Sequence, residues 1–108
     1  MIPVVIKRRN DNNDGHFHVI FDTFEEHHSS VGITKHPKKG KNSTNYDCKN
    51  SIMNNGIRSY ARRQGTVAPV SSYSKNTYNG NMTKTAYEHA KIYAERAKEK
   101  FLANKNKK

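Results

Sequence analysis

The sequence predicts an α+β domain: a small antiparallel β-sheet with a long basic loop and a C-terminal α-helix packed on the sheet. Three features indicate this class: an apolar alternation near the start, a helical repeat of alanine and aromatic residues near the end, and a basic stretch with neither period between them. A length of 108 residues favours one domain, expected over residues 1–103 and followed by a basic tail over 104–108.

The first segment is typical of a β-strand. Residues 2–9 are rich in valine and isoleucine, and Pro3 suits the first position of a strand or the edge of a sheet. Residues 10–15 are turn formers with no apolar side chain to bury, so we expect a turn after this strand.

The next segment predicts a β-hairpin with one apolar face. Residues 16–24 alternate apolar and polar side chains and are the clearest strand in the sequence. Residues 25–28 are the expected turn. Residues 29–35 are the second arm, with Val31 and Ile33 on one face.

The middle of the chain shows no sustained period of either kind. We expect residues 36–65 to be a long basic loop, with a short helical turn near residues 57–63. Residues 66–73 predict a further strand, which Pro69 places at a sheet edge, and residues 74–81 are again rich in turn formers.

The C-terminal helix has both a start signal and an apolar stripe. Thr85 and Glu88 fit a capping box, and Thr83 is a second candidate for the N-cap. Small alanine side chains on the stripe would let the helix lie close to a sheet. The residues at helical spacing are Ala86, Ala90, Tyr93, Ala97 and Phe101.

The composition points to a small core and a polyanionic partner. The chain has a formal net charge of +11, a pI of about 9.9, 32% hydrophobic residues and a mean hydropathy of −1.07. So few apolar residues build only a small core. The excess positive charges repel one another unless a polyanion neutralises them.

Cysteine usage and the N-terminal sequence bear on the compartment. The single cysteine, Cys48, excludes an internal disulfide and fits a reducing compartment, and its polar neighbours favour an inert thiol. The apolar start is only about one strand long and precedes the basic residues 7–9, which is the reverse of a signal peptide. We therefore expect a cytoplasmic protein with no membrane partner.

Residues 35–63 form a strongly cationic segment, with eight lysine and arginine residues against one acid, Asp47. Nucleic acid is the commonest partner of such a surface, and we expect RNA rather than DNA. In a helical turn Arg58 and Arg62 would share a face, while Tyr60 would either stack on an unpaired base or pack inward. The expected nucleic-acid-binding residues are Lys35, Lys38, Lys39, Lys41, Arg58, Tyr60, Arg62 and Arg63.

Several histidines near the hairpin have the chemistry for RNA cleavage without a metal. His16 and His18 share one face of a strand, and hairpin pairing would bring Thr34 and His36 close to them. One neutral histidine would take the 2′-hydroxyl proton and another, protonated, would give one to the leaving oxygen. Alternatively, these histidines are solvated or contact phosphate without catalysis.

The same histidines offer a third chemistry. His16, His18 and His36 provide three nitrogen ligands of the kind that zinc binds. No CxxC or HExxH spacing accompanies them, so we expect neither a metal nor another cofactor.

Residues 30–41 (SVGITKHPKKGK) and 59–69 (SYARRQGTVAP) resemble small basic proteins encoded on phages and integrative elements of low-GC Gram-positive bacteria. The strand, hairpin and basic loop over residues 16–70 are also similar to the barnase/colicin/RelE-type ribonuclease superfamily. That resemblance implies a small antiparallel sheet, a packed helix, and His, Arg, Lys and Ser/Thr side chains on the sheet face. Many members begin with helices, whereas the secure helix here is C-terminal.

Three kinds of function remain open. We expect a nucleic-acid-binding protein of a phage or mobile element, and a metal-independent ribonuclease toxin is its most specific form. One alternative is an anti-CRISPR-like inhibitor that binds a host defence nuclease or ribonucleoprotein complex, and another is an accessory factor for DNA transfer. Toxicity on expression would distinguish the toxin, and co-purification with a large nuclease would identify the inhibitor.

Overall fold

The described part of the chain contains six β-strands and one long α-helix. The structure is a computed structural model that describes residues 1–10, 16–38, 40–41 and 43–105. A short 3₁₀ turn at Val70–Ser72 precedes the last strand. The strands are β1 (Ile2–Arg8), β2 (Phe17–Phe24), β3 (His27–Thr34), β4 (Tyr46–Asp47), β5 (Tyr60–Pro69) and β6 (Tyr78–Met82), and the helix is α1 (Lys84–Lys105).

All these strands belong to one antiparallel sheet with the order β4-β5-β3-β2-β1-β6. Helix α1 packs on one face of the sheet, against β5, β3 and β2. The predicted α+β class, with a small antiparallel sheet and a C-terminal helix packed on it, is therefore confirmed.

The hairpin between β2 and β3 turns more tightly than the sequence predicts. Only Glu25 and Glu26 form the turn, and both have positive φ, at 47° and 62°. A two-residue loop of this kind follows the right-handed twist of the flanking strands, although Asn-Gly is its usual sequence. The turn expected over residues 25–28 is thus too long, and His27 and His28 belong to β3.

One lateral row of side chains shows which face of the sheet carries the helix. Ile6 pairs with Val19, Val19 with Val31, and Val31 with Gly65, so all four lie on the same face. A Cβ on Gly65 would overlap the backbone carbonyl of Tyr93 in α1. The helix therefore lies directly on this row, and residues of the opposite parity face away from it.

Helix α1 begins at Lys84, so its N-cap lies two residues before the Thr85 of the predicted capping box. The Thr83 hydroxyl accepts a hydrogen bond from the Ala86 backbone N–H at 3.2 Å, so Thr83, rather than Thr85, is the N-cap. Ala86, Ala90 and Ala94 are buried against the sheet. Ala86 and Ala90 of the predicted stripe are thus confirmed, whereas Ala94 takes the buried position expected for Ala97, which is only half-buried. These small side chains permit the close approach at Gly65.

The predicted long loop over residues 36–65 contains β4 and the first half of β5. The helical turn expected near residues 57–63 is wrong, because Ala61 pairs with Ile33 of β3 and is buried there. The strand expected at residue 66 accordingly starts at Tyr60.

Strand β6 lies in the stretch predicted to be rich in turns. It pairs with β1 along its length, and Gly80 lies opposite Val4. A Cβ on Gly80 would overlap the carbonyl of Ile52, which is fully buried. The loop between β4 and β5 therefore packs directly on this edge of the sheet.

Some predictions fall on residues outside the described ranges. These are most of the turn expected over residues 10–15, the phosphate-contacting Lys39, and the last three residues of the basic tail. Asn104 and Lys105, the first residues of that tail, belong to α1. Among the described residues, no helix has both the length and the apolar character needed to cross a membrane.

Candidate nucleic-acid interface

A cavity of about 290 Å³ opens at the end of the sheet where β2 begins and β3 ends. Its floor is apolar and comprises Phe17, Ile33 and Met53, and the exposed Ile57 adds a further apolar side chain to the lining. Its rim is polar and cationic. Five residues that the sequence predicts as functional lie on that rim: His16, Thr34, Lys35, His36 and Arg58.

The floor of the cavity is held by strand pairing on one side and by a loop on the other. Phe17 pairs with Ile33 across the hairpin, and its ring meets the Tyr78 ring edge-on at 5.5 Å. Met53 and Ile57 come from the loop between β4 and β5, where the Ser59 hydroxyl accepts a hydrogen bond from the Ile52 backbone N–H at 2.9 Å. The floor is thus preorganised.

An ion pair fixes the arginine on the rim. The Arg58 guanidinium donates two hydrogen bonds to Asp47, with nitrogen–oxygen distances of 2.9 and 2.7 Å. Hydrogen bonding to Arg58 holds the pKa of the Asp47 carboxyl below its usual range. Both side chains are exposed, so a phosphate at the rim would compete with Asp47 for the guanidinium.

The basic segment after β3 is closed into a turn beside the cavity. The Asn45 side-chain amide donates to the His36 carbonyl at 2.9 Å, and the Asn45 backbone N–H donates to the Pro37 carbonyl at 2.8 Å. Lys38 and Lys41 are exposed on this turn. Of the lysines in this segment, Lys35 lines the cavity itself.

On the sheet face away from the helix, a buried hydrogen-bonded chain includes His18. The His18 Nδ1 lies 3.0 Å from the Ser30 hydroxyl, which lies 2.8 Å from the Tyr73 hydroxyl. The three side chains are almost fully buried. Ser30 therefore fixes the orientation of both the imidazole and the phenol.

His28 joins the same face and is held in its neutral form. Its Nε2 accepts from the Lys7 ammonium at 3.3 Å, because an ammonium can only donate. Its Nδ1 therefore carries the hydrogen and donates to the Thr23 hydroxyl at 2.8 Å. Burial, and then the charge of Lys7, lower the pKa of His28.

Arg62 and His18 meet in a small polar depression of about 200 Å³ on this face. Gln64 and Thr66 complete its walls. A Cβ on Gly32 would lie 3.1 Å from Cδ of Arg62 and 3.4 Å from Cε1 of His18, so glycine leaves room for both side chains. The depression is of a size and polarity that suit a phosphate group beside an imidazole.

The neighbouring residues Arg62 and Arg63 of β5 lie on opposite faces of the sheet. Arg62 lies beside His18, whereas Arg63 donates from Nε to the Thr44 carbonyl at 3.1 Å and lies over the Tyr46 ring at 5.6 Å. The prediction that Arg58 and Arg62 share one face of a helical turn is wrong, because Arg58 precedes β5 and Arg62 belongs to it. Tyr60 is half-buried at the start of β5.

The predicted cluster of His16, His18, Thr34 and His36 is divided between two separate depressions. His16, Thr34 and His36 surround the cavity at the sheet end, and His18 lies in the depression with Arg62. Strand β3 ends at Thr34, so His36 lies outside the sheet. Among the described residues, no group of three or more His, Cys, Asp or Glu is placed to hold a metal ion.

Cys48 has the properties of an inert thiol. Its side chain is buried in the core, and burial raises the pKa of the Cys48 thiol to about 12, with the Asp47 charge adding to the effect. A thiolate is the reactive form of cysteine, so this side chain does not supply a nucleophile at neutral pH.

Sequence reasoning missed four residues of the sheet-face network: Lys7, His28, Ser30 and Tyr73. The strand alternation carried a signal for His28 and Ser30, because both have the parity of Thr34. The overlong turn assignment hid that signal for His28. Tyr73 carried none, since the bridge between Arg9 and Tyr73 brings it there from a distant part of the chain.

Comparison of the chain with protein-family models, with curated proteins and with solved structures gives no match.

Proposed function

We propose that this protein binds single-stranded RNA through the cavity at the end of the sheet. The observation that supports the proposal is an apolar floor inside a cationic rim. An unpaired base needs a surface on which its face is desolvated, and its phosphate needs a cation close by. Phe17, Ile33 and Met53 offer the first, and Lys35 and Arg58 offer the second.

Single-stranded RNA fits this cavity better than duplex DNA does. A duplex is read by an element that protrudes into a groove, whereas a recess receives a base that has left its stack. The net charge of +11 adds a general attraction for phosphates. The resulting class is a small basic α+β protein that binds an unpaired nucleotide at a sheet end.

Two isoleucines with matched exposure allow a direct test of the cavity. Ile57, in the lining of the cavity, is 50% exposed, and Ile92, on α1, is 48% exposed. Ile57→Asp places a carboxylate where the base would lie and should weaken RNA binding at least about tenfold. Ile92→Asp makes the same charge change elsewhere and should weaken binding only about two- to threefold. Equal effects in a fluorescence-anisotropy titration would contradict binding at the cavity.

The sheet-face depression favours a second candidate function, metal-independent cleavage of RNA. His18 is oriented by Ser30 and lies beside Arg62, which combines a proton acceptor with a phosphate-binding cation. His18 would take the 2′-hydroxyl proton while the 2′-oxygen attacks phosphorus and the bond to the 5′-oxygen breaks. His16 or His36, at the sheet-end cavity, would return a proton to that oxygen.

The cleavage reaction predicts products that identify it. It leaves a 2′,3′-cyclic phosphate and a 5′-hydroxyl, persists in EDTA, and has a bell-shaped pH dependence in the histidine range. His18→Ala should abolish cleavage and leave RNA binding nearly unchanged, because one neutral imidazole adds little to phosphate affinity. Intact RNA after incubation with the wild-type protein would exclude cleavage and leave a binding protein.

A further inference from the structure

Besides the sheet-end cavity and the His18 depression, a cationic groove of about 400 Å³ runs between β5 and α1 on the helix side of the sheet. The charged side chains that line it are all basic: Arg63 from β5, and Arg96 and Lys100 from α1. Gln64 and Asn104 add amide groups to the lining. The groove lies on the face opposite the His18 depression, because β5 alternates its side chains between faces.

The arginines of this groove lie over aromatic rings, and Arg63 is also hydrogen-bonded to the Thr44 carbonyl. The Arg63 guanidinium lies over the Tyr46 ring, and the Arg96 guanidinium lies over the Tyr93 ring at 5.7 Å. The Tyr46 ring is itself stacked on His89 of α1, with ring centres 3.8 Å apart. Guanidinium groups oriented in this way lose less entropy when they bind phosphate.

The charges of α1 are separated between its two flanks. The flank away from the groove carries Glu95 and Glu99, which line a different depression. Lys98 and Lys91 on that flank form ion pairs with Asp22 and Glu95. The lysines of that flank are therefore paired with carboxylates. In contrast, no acidic residue among those described lines the groove, so its cations have no carboxylate beside them there.

Strand β5 connects this groove with the sheet-face depression. Strand β4 pairs with β5 only at Tyr60 and Ala61, so within the described residues the outer edge of β5 is not covered by β4 from Arg62 onward. Arg62 lies on one face of this edge and Arg63 on the other. A flexible polyanion that passes over the edge would meet both.

We propose that a single RNA strand bound at the sheet end continues over the edge of β5 and lays its sugar–phosphate backbone in the groove formed by Arg63, Arg96 and Lys100. This inference rests on the proposed RNA binding at the sheet end. The groove contacts phosphates and adds affinity without sequence preference, because its donors are guanidinium and ammonium groups. A longer RNA therefore binds more tightly than one that fills the cavity alone.

Two double variants with the same charge change test the groove. Arg96→Gln/Lys100→Gln removes two groove cations, and Lys75→Gln/Lys84→Gln removes two exposed cations from outside it. With an RNA of about 20 nucleotides, the groove variant should reduce the slope of log affinity against log salt by about 1.4, and the control by less than about 0.4. With an RNA of about 4 nucleotides, which fills only the sheet end, both variants should bind alike.

The outcomes separate the groove from the cavity. If the two double variants bind the longer RNA alike while Ile57→Asp remains defective, the groove proposal is wrong and binding at the sheet end stands. If the wild-type protein binds neither RNA at low salt, both proposals are wrong. Thermal unfolding of each double variant checks that the helix still packs on the sheet.

Discussion

Nδ1 of His18 and the hydroxyl of Ser30 are joined by a buried hydrogen bond of 3.0 Å. The same hydroxyl lies 2.8 Å from that of Tyr73, so one small side chain serves two buried polar groups. The pair lies on the face that the helix leaves uncovered. Its orientation therefore bears on both stability and the chemistry proposed for His18.

Ser30→Ala should lower the free energy of unfolding by about 1–3 kcal/mol, because two buried polar groups lose a hydrogen-bond partner at once. Ser29→Ala is the matched control, since Ser29 is equally buried on the same strand but lies outside this chain of hydrogen bonds. We expect the control to cost about 1 kcal/mol less than Ser30→Ala. Urea denaturation measures both, and equal losses would contradict the role of Ser30.

The lowered pKa of His28 predicts a pH dependence of stability. Its ordinary value is 6.5, so below that pH the unfolded chain binds a proton that the folded chain does not. Stability is therefore fully present above about pH 7 and is lost as the pH falls towards the lower folded pKa. Burial also lowers the pKa of His89, which acts in the same direction.

Urea denaturation at about pH 7.5 and pH 5 measures this loss. Aspartates titrate at lower pH, so their protonation does not contribute over this interval. His28→Gln should reduce the loss between the two pH values. Stability that rises as the pH falls over this interval would contradict the assignment of a neutral His28.

The contact between β5 and α1 predicts a strong effect at one glycine. Gly65→Ala places a methyl group against the Tyr93 carbonyl, so α1 must move or the strand must bend. We expect a loss of about 3 kcal/mol or more in the free energy of unfolding. Gly40→Ala is the control, because a Cβ there meets nothing within 4 Å. A fully stable Gly65→Ala protein would show that the helix packs differently.

The spacing of apolar residues along the sequence was sufficient to predict the strands and the helix that bury one regular face. In β2 and α1, the secondary structure that the local sequence prefers is also the one that packs in the folded protein. The middle of β6 consists of Asn79, Gly80 and Asn81, and the first part of β5 contains Ala61 and Gly65, all of residue types that are depleted in strands. They form strands because Gly65 and Gly80 permit close packing that only the assembled fold rewards.

The sequence predicted the grouping of those site residues that lie close together at the paired ends of the hairpin. His16, Thr34, Lys35 and His36 come from two paired strand ends, so strand parity and pairing brought them to one cavity. Tyr73 reaches the sheet face through a long-range bridge, and the Glu25–Glu26 turn lacks the residues that usually mark a two-residue loop. Neither feature is encoded locally.

The salt dependence of RNA binding tests nucleic-acid binding most directly. About six phosphate contacts on a single strand should reduce affinity several hundredfold between about 50 and 200 mM salt. Fluorescence anisotropy of a labelled single-stranded RNA, titrated at four salt concentrations within this range, gives the slope. A steep linear fall of log affinity with log salt is the predicted result. Absence of binding at about 50 mM salt, or an affinity that does not change with salt, would contradict the proposal that this basic surface binds RNA.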